Sequence, residues 1–110
     1  MGQFVKGQVV ILPFPFSDLS ATKRRPALVV AALSGSDVIL CQITSVLRQD
    51  GYAVQIDEAD FVTGSLDRTS FVRVNRVFTA DTAIIARIAG QLSQRKIKEV
   101  TDRLIKILSQ

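Results

Sequence analysis

Three consecutive cations, Lys23, Arg24 and Arg25, stand directly before Pro26 and have the chemistry for binding phosphate. The guanidinium group of arginine offers a planar fork of N–H donors that matches phosphate oxygens. Pro26 restricts the preceding residue to extended geometry, so we expect Arg25 to be fixed while Lys23 and Arg24 move at the end of a loop. A solvated basic turn has the same composition, so these residues alone leave phosphate recognition and simple solubility equally open.

Hydroxyl groups at strand ends and two isolated charges are the other candidates. Thr44, Ser45 and Ser70 lie beside apolar segments, where hydroxyls commonly bond nearby backbone groups, and this is the simpler interpretation. Arg76 interrupts an otherwise apolar strand face, so it must be paired, exposed at an edge or lining a site. Asp18 lies in the polar loop before the cations and has the charge to orient an arginine.

The residue types that are missing narrow the possible activities. The chain has no histidine, which excludes Ser-His-Asp and Cys-His catalysis and argues against a zinc site. The acidic segment 57–60 lacks the glycine and spacing of a calcium loop and predicts a solvated turn. There is no phosphate-binding loop of the P-loop or dinucleotide type. Cys41, the one cysteine, lies in an apolar run and is predicted to be a small buried hydrophobe.

Short strands and one helix must position these side chains. Apolar and β-branched runs predict strands over 8–14, 26–33, 38–44, 52–56, 69–79 and 84–88. Segment 17–25 is predicted to be a long polar loop, and 57–67 to be irregular. Ser93 is the predicted N-cap of a final helix. The buried stripe of this helix is predicted to be Ile97, Val100, Leu104, Ile107 and Leu108.

This order of elements predicts a mainly β fold with a C-terminal helix, a small barrel or rolled sheet, with residues 1–110 forming one domain. The net charge of +4, from 14 Lys and Arg against 10 Asp and Glu, favours a polyanionic partner such as nucleic acid or an acidic protein. The chain shows neither a signal-peptide pattern nor an apolar run that would cross a bilayer. We therefore expect a cytoplasmic protein that does not associate with a membrane.

Segments 7–20, 23–30 and 69–79, together with the helix that follows 90–93, resemble PemK/MazF-like toxins of type II toxin–antitoxin systems. The resemblance covers nearly the whole chain. It implies an SH3-like β-barrel of the CcdB/MazF/PemK kind and a homodimer. It also implies an endoribonuclease that cleaves single-stranded RNA, inhibits translation and needs no metal or other cofactor. A cognate antitoxin with an acidic, flexible segment is expected to cover the active groove.

The resemblance also assigns roles to individual residues. In the family an arginine before the proline and a threonine or serine after the third strand form the catalytic pair. These map onto Arg25 and Thr44, with Ser45 as the neighbouring alternative. The expected reaction is attack of a ribose 2′-hydroxyl on the adjacent phosphorus, which gives a 2′,3′-cyclic phosphate and a 5′-hydroxyl.

Besides the catalytic pair, the residues expected to bind RNA are Lys23, Arg24, Ser45, Arg76 and Asp18. Many family members carry a Gly-x-Glu element in the first loop, where this chain has Phe16-Ser17-Asp18. Asp18 is therefore expected to take the acidic role.

Three other functions are compatible with the same residues. A non-catalytic homologue would bind RNA or antitoxin through the same cations. A CcdB-like toxin would inhibit a protein rather than cut RNA. A general SH3-like interaction domain is disfavoured, because aromatic residues make up 6% of the chain with no Trp, which is too few for a groove that binds proline-rich peptides.

Overall fold

The computed structural model describes residues 4–14, 23–47 and 49–110. In this part of the chain, β-branched and apolar runs form seven strands, and one α-helix follows the last of them. The strands are β1 (Gln8–Phe14), β2 (Lys23–Ala32), β3 (Asp37–Thr44), β4 (Ala53–Ile56), β5 (Phe61–Gly64), β6 (Ser70–Asp81) and β7 (Arg87–Leu92). The helix is α1 (Gln94–Leu108), and single 3₁₀ turns cover Glu58–Asp60 and Thr82–Ile84.

The strands form one antiparallel sheet in the order β4-β6-β3-β2-β1-β7-β5. The molecule measures 31 × 31 × 30 Å. A flat sheet would have one thin dimension, so these extents indicate that the sheet is curled. The predicted fold class, mainly β with a C-terminal helix, is confirmed. No helix in these described ranges is long and apolar enough to span a bilayer.

Both faces of the sheet bury apolar side chains, and neighbouring residues of β2 alternate between the two. Leu28 belongs to the cluster that packs against the helix, while Ala27 and Val29 belong to the cluster on the opposite face. Cys41 is buried in the helix-side cluster, as predicted. This alternation fixes which β2 residues face each side, and so holds the cations at the start of the strand in register.

The final helix begins and packs as predicted, except at its last residue. Ser93 is the N-cap, and its Oγ accepts a hydrogen bond from the Lys96 backbone N–H at 3.2 Å. Ile97 and Val100 are buried, and Leu104 and Ile107 are half-buried against the same cluster. The prediction that Leu108 completes the stripe is wrong, since it is 74% exposed at the helix end.

The observed elements differ from the sequence predictions most at three places. Lys23, Arg24 and Arg25 are not the end of a loop but the first residues of β2, because each pairs with a residue of β1. The segment predicted to be irregular contains β5, which pairs with β7.

The last strand begins at Arg87 rather than at Ile84. The side chain of Asp81 accepts a hydrogen bond from the Ala83 backbone N–H and caps a 3₁₀ turn there. Sequence periodicity does not reveal such a cap, because it competes locally with the extended chain.

Candidate functional site

Arg25 and Thr44 lie where β2 and β3 separate. These strands pair from Ala32–Val38 to Ala27–Gln42, and Arg25 and Thr44 are each two residues beyond that last pair. Further out, β2 continues its pairing with β1 and β3 continues with β6. A cleft lies beyond the last pair of these strands, and Arg25 and Thr44 both line it.

This Arg25 cleft has a volume of ≈ 270 Å³ and a mainly basic and hydroxyl-bearing lining. Among the described lining residues, four arginines accompany a single carboxylate, that of Asp67. The polar and charged residues of the lining are Arg24, Arg25, Thr44, Ser45, Ser65, Asp67, Arg68, Ser70 and Arg87. Ile11, Pro26 and Ile43 supply apolar wall. Such a surface attracts an anion and offers it many donors.

The hydroxyl of Thr44 is held by the backbone yet remains able to donate. Thr44 Oγ1 accepts a hydrogen bond from the Val46 backbone N–H at 3.1 Å, which is the local bonding that the simpler interpretation predicted. A hydroxyl has two acceptor sites and one O–H donor, so this bond fixes the oxygen and leaves the donor for a ligand. Ser45 is exposed on the same rim.

Ser70 lies deeper and serves the local backbone. It is buried, and its Oγ donates a hydrogen bond to the Arg68 carbonyl at 3.0 Å. The prediction that Ser70 bonds nearby backbone is confirmed. The bond also braces the loop that carries Asp67 and Arg68 along the edge of the cleft.

Arg87 and Arg68 also line the cleft, although the residue pattern of the sequence did not single them out. Arg87 pairs with Ile11 of β1, and Ile11 pairs on its other side with Pro26 of β2. This row across three strands brings Arg87 to the same cleft as Arg25, although the two are far apart in sequence. Its signal was a lone cation in the apolar run 84–88, but its place depends on the pairing of β1 with β7.

A second cleft, of ≈ 460 Å³, lies on the other side of Thr44 and is called here the amide cleft. Thr44 belongs to both clefts, and the remaining lining residues are Gln42, Asp50, Arg73, Asn75 and Arg76. A bulge in β6 creates this lining, because the β3 neighbours Cys41 and Gln42 pair with Val77 and Arg73 and leave three β6 residues between them.

Arg76 lies in this bulge and is exposed. It is therefore exposed and also lines a cleft, and its role in RNA binding stays a prediction. No carboxylate of the described residues lies within salt-bridge distance of it.

Arg73 carries the buried charge of the amide cleft. It is 7% exposed, and its Nη2 donates to Asp50 Oδ2 at 2.9 Å. Its Nε has no hydrogen-bond partner among the described residues and is buried. Asp50 balances the charge of this guanidinium, so the remaining cost is the buried Nε–H donor that has no acceptor.

Other predicted residues lie nearby or outside the described ranges. Lys23 is exposed on β2 and does not line the Arg25 cleft, whereas Arg24 does. Asp18 lies outside the described residues, so its expected acidic role stays a prediction. In the acidic turn, Asp57 and Asp60 are engaged in local capping, with the Asp57 backbone N–H donating to Asp60 Oδ2 at 2.8 Å.

Comparison with known proteins relates this architecture to a described family. An endoribonuclease from a Mycobacterial species, solved with its cognate antitoxin, superposes with a TM-score of 0.73 at 19% identity, over 96% of this chain and 94% of that chain. MazF from Deinococcus radiodurans superposes with a TM-score of 0.73 at 21% identity, over 96% of each chain.

At these identities the two structures establish the shared fold. No curated protein sequence matches this chain. The family model of the PemK-like, MazF-like toxin of type II toxin–antitoxin systems matches residues 5–108. The chain belongs to this toxin family.

Proposed function

We propose that this protein is an endoribonuclease toxin that cuts single-stranded RNA in the Arg25 cleft. The observation that carries the proposal is that Arg25 and Thr44, on neighbouring strands, line one cleft that has four arginines in its lining. Cations and hydroxyl donors suit a phosphodiester. The related structures named endoribonuclease and MazF share the fold that builds this cleft.

The proposed reaction is an internal transfer at phosphorus. The ribose 2′-oxygen forms a bond to phosphorus, the bond from phosphorus to the 5′-oxygen breaks, and the products are a 2′,3′-cyclic phosphate and a 5′-hydroxyl. The nucleophile belongs to the substrate, so the reaction needs no external nucleophile, and we expect it to proceed without a metal ion. DNA lacks the 2′-hydroxyl and is expected to remain intact.

Arg25 is assigned to the charge that develops on the pentacoordinate phosphate. Its guanidinium stays protonated and therefore cannot accept a proton, but a fixed cation beside the phosphate oxygens lowers the barrier. Thr44 would donate its free O–H to a phosphate oxygen, since its oxygen is already held by the Val46 N–H. Arg24 and Arg87, on the same lining, would bind the phosphates on either side.

The proton of the 2′-hydroxyl must leave as the new bond forms, and the 5′-oxygen must gain one. Asp67 is the carboxylate among the described lining residues, and we assign it to accept the 2′ proton. Solvent would protonate the departing 5′-oxygen. If Asp67 has this role, Asp67→Asn lowers kcat with little change in KM, whereas Asp37→Asn, at the exposed far end of β3, changes neither.

A cognate antitoxin is the proposed protein partner. Related structures contain such a partner, and an acidic flexible segment would neutralise the arginines of the cleft and exclude RNA from it. A homodimer is also proposed, because β4 and β5 are the outer strands of the described sheet and leave edges that a second copy can cover. Sedimentation of the purified protein across a concentration series tests the dimer.

The decisive experiment incubates purified protein with a mixed-sequence single-stranded RNA in excess EDTA and identifies the product ends. Discrete cuts with cyclic-phosphate ends, absent with Arg25→Ala, are expected. Intact RNA with retained RNA binding would identify a non-catalytic homologue. Intact RNA and inhibition of a protein target would identify a CcdB-like toxin. Cleavage that stops in EDTA would contradict the metal-independent mechanism.

A further inference from the structure

The two clefts that share Thr44 differ in the chemistry that they offer. The described lining of the Arg25 cleft contains arginines and hydroxyl groups but neither Asn nor Gln. The amide cleft instead presents the side-chain amides of Gln42 and Asn75 beside Arg76. Arginine and hydroxyl groups bind phosphate without regard to sequence, whereas amides present a donor and an acceptor together and match the edge of a base.

The two side-chain amides of the amide cleft are available to a ligand. Neither Gln42 nor Asn75 has a side-chain hydrogen bond to another described residue. Asn75 is exposed and Gln42 is half-buried, so a ligand that enters the cleft reaches both. The volume of ≈ 460 Å³ lies within the range of small-molecule sites, about 300–1,000 Å³.

The backbone beneath these amides belongs to the paired strands β3 and β6. Gln42 pairs with Arg73 across β3 and β6, which fixes one amide on a paired strand. Asn75 lies in the bulge that starts directly after Arg73. Arg73 is itself buried and bonded to Asp50 at 2.9 Å. A paired backbone limits where the two amides can lie, so less order is lost on binding than from an unpaired loop.

We propose that the amide cleft binds the nucleobase of one of the two nucleotides that flank the scissile phosphate, and that Gln42 and Asn75 read its hydrogen-bonding edge. Arg76 binds the phosphate attached to that nucleotide. Thr44 then lies between the scissile phosphate in the Arg25 cleft and the base in the amide cleft. This inference rests on the proposed RNA substrate, and it makes Gln42 and Asn75 specificity-determining residues of that reaction.

The test uses the full chain and a random-sequence single-stranded RNA. Wild type, Gln42→Ala, Asn75→Ala and Gln94→Ala cleave the RNA in EDTA, and sequencing of the cut ends gives the base preference at each position. Gln94→Ala is the matched control, since Gln94 is an exposed amide on the first turn of α1. Thermal unfolding verifies that all four proteins fold. In a parallel binding experiment, the same proteins select the molecules that they bind from a 2′-O-methyl version of the random-sequence RNA. This RNA can be bound but not cut.

The two cleft variants are expected to weaken the preference for one base at one position next to the cut by about tenfold. Gln94→Ala should leave it unchanged. Cleavage by the variants with wild-type preference at every position overturns the inference and leaves the proposed function in place. A second outcome is that wild type leaves RNA uncut but selects one base from the 2′-O-methyl RNA, and that both cleft variants lose this selection. This outcome overturns the proposed nuclease activity and supports base recognition by the amide cleft. Uncut RNA and no selected base overturn both.

Discussion

Arg73 and Asp50 form an ion pair of 2.9 Å that ties the chain following Thr44 to the neighbouring strand β6. The Arg73 side chain is 8% exposed and that of Asp50 is 36% exposed. One partner is therefore desolvated while the other is partly hydrated. Loss of Asp50 therefore leaves a buried unpaired charge, whereas loss of Arg73 leaves a carboxylate that water partly solvates.

Asp50→Ala is expected to lower the free energy of unfolding by about 2 kcal/mol, between the values for exposed and fully buried pairs. The variant leaves the guanidinium of Arg73 buried without its carboxylate. Urea denaturation measures the change, and the double variant Asp50→Ala, Arg73→Met should recover most of it. The matched control is Asp102→Ala, because Asp102 pairs with Lys98 on the exposed face of α1. Equal losses in Asp50→Ala and Asp102→Ala would contradict the buried role of the pair.

Arg25→Ala is expected to lower kcat for RNA cleavage by about a hundredfold or more, because it removes the cation that stabilises the transition state. Arg25→Lys should recover only part of the loss, since an ammonium group lacks the planar fork of donors. Steady-state cleavage of a short fluorogenic RNA measures both. Arg95→Ala, on the exposed surface of α1, serves as the control for lost positive charge. An Arg25→Ala protein as active as Arg95→Ala would remove Arg25 from the site.

Thr44→Val should lower kcat by about tenfold or more, whereas Thr44→Ser should stay near wild type. Valine keeps the shape of threonine but loses both the O–H donor and the acceptor for the Val46 N–H. Separate measurement of kcat and KM distinguishes a role in the transition state from a role in binding. Ser45→Ala tests the neighbouring hydroxyl, and a larger loss there than in Thr44→Val would transfer the assignment to Ser45.

Arg87→Ala is expected to weaken RNA binding while leaving the cut positions unchanged, because it removes a contact to a flanking phosphate. The slope of log K against log salt should fall in magnitude by about 0.7, the value for one phosphate contact to a single strand. Fluorescence anisotropy with an uncleavable RNA at several salt concentrations gives the slope. A slope equal to that of Arg95→Ala would show that Arg87 does not touch the RNA.

Cys41 links stability to alkaline pH. Burial raises the pKa of its thiol from 9.0 to about 11. The unfolded protein therefore loses the thiol proton at a lower pH than the folded protein does. The associated stability is complete below pH 9 and declines as the pH rises toward 11. Urea denaturation from pH 8 to pH 11 should therefore show a steeper decline in wild type than in Cys41→Ala. The buried thiol should also react with a thiol reagent only after denaturant is added.

Residue types and local spacing predicted much of this molecule. The strand 8–14, the capped helix after Ser93 and the buried Cys41 follow from β-branched runs, a capping hydroxyl and apolar context, all of which act within a few residues. Arg25 and Thr44 were identified by resemblance to a toxin family, and the pairing of β2 with β3 places them on one cleft.

What the sequence did not determine are relationships between distant segments. Arg87 reaches the cleft because β7 pairs with β1, and the amide cleft exists because β6 bulges against β3. Residues 23–25 were predicted to be a loop, but they form a strand because β1 supplies their backbone partners. Local propensities specify which segments extend or coil, but strand order and register depend on the burial of both sheet faces at once. That is a property of the whole core, and only the tertiary structure fixes it.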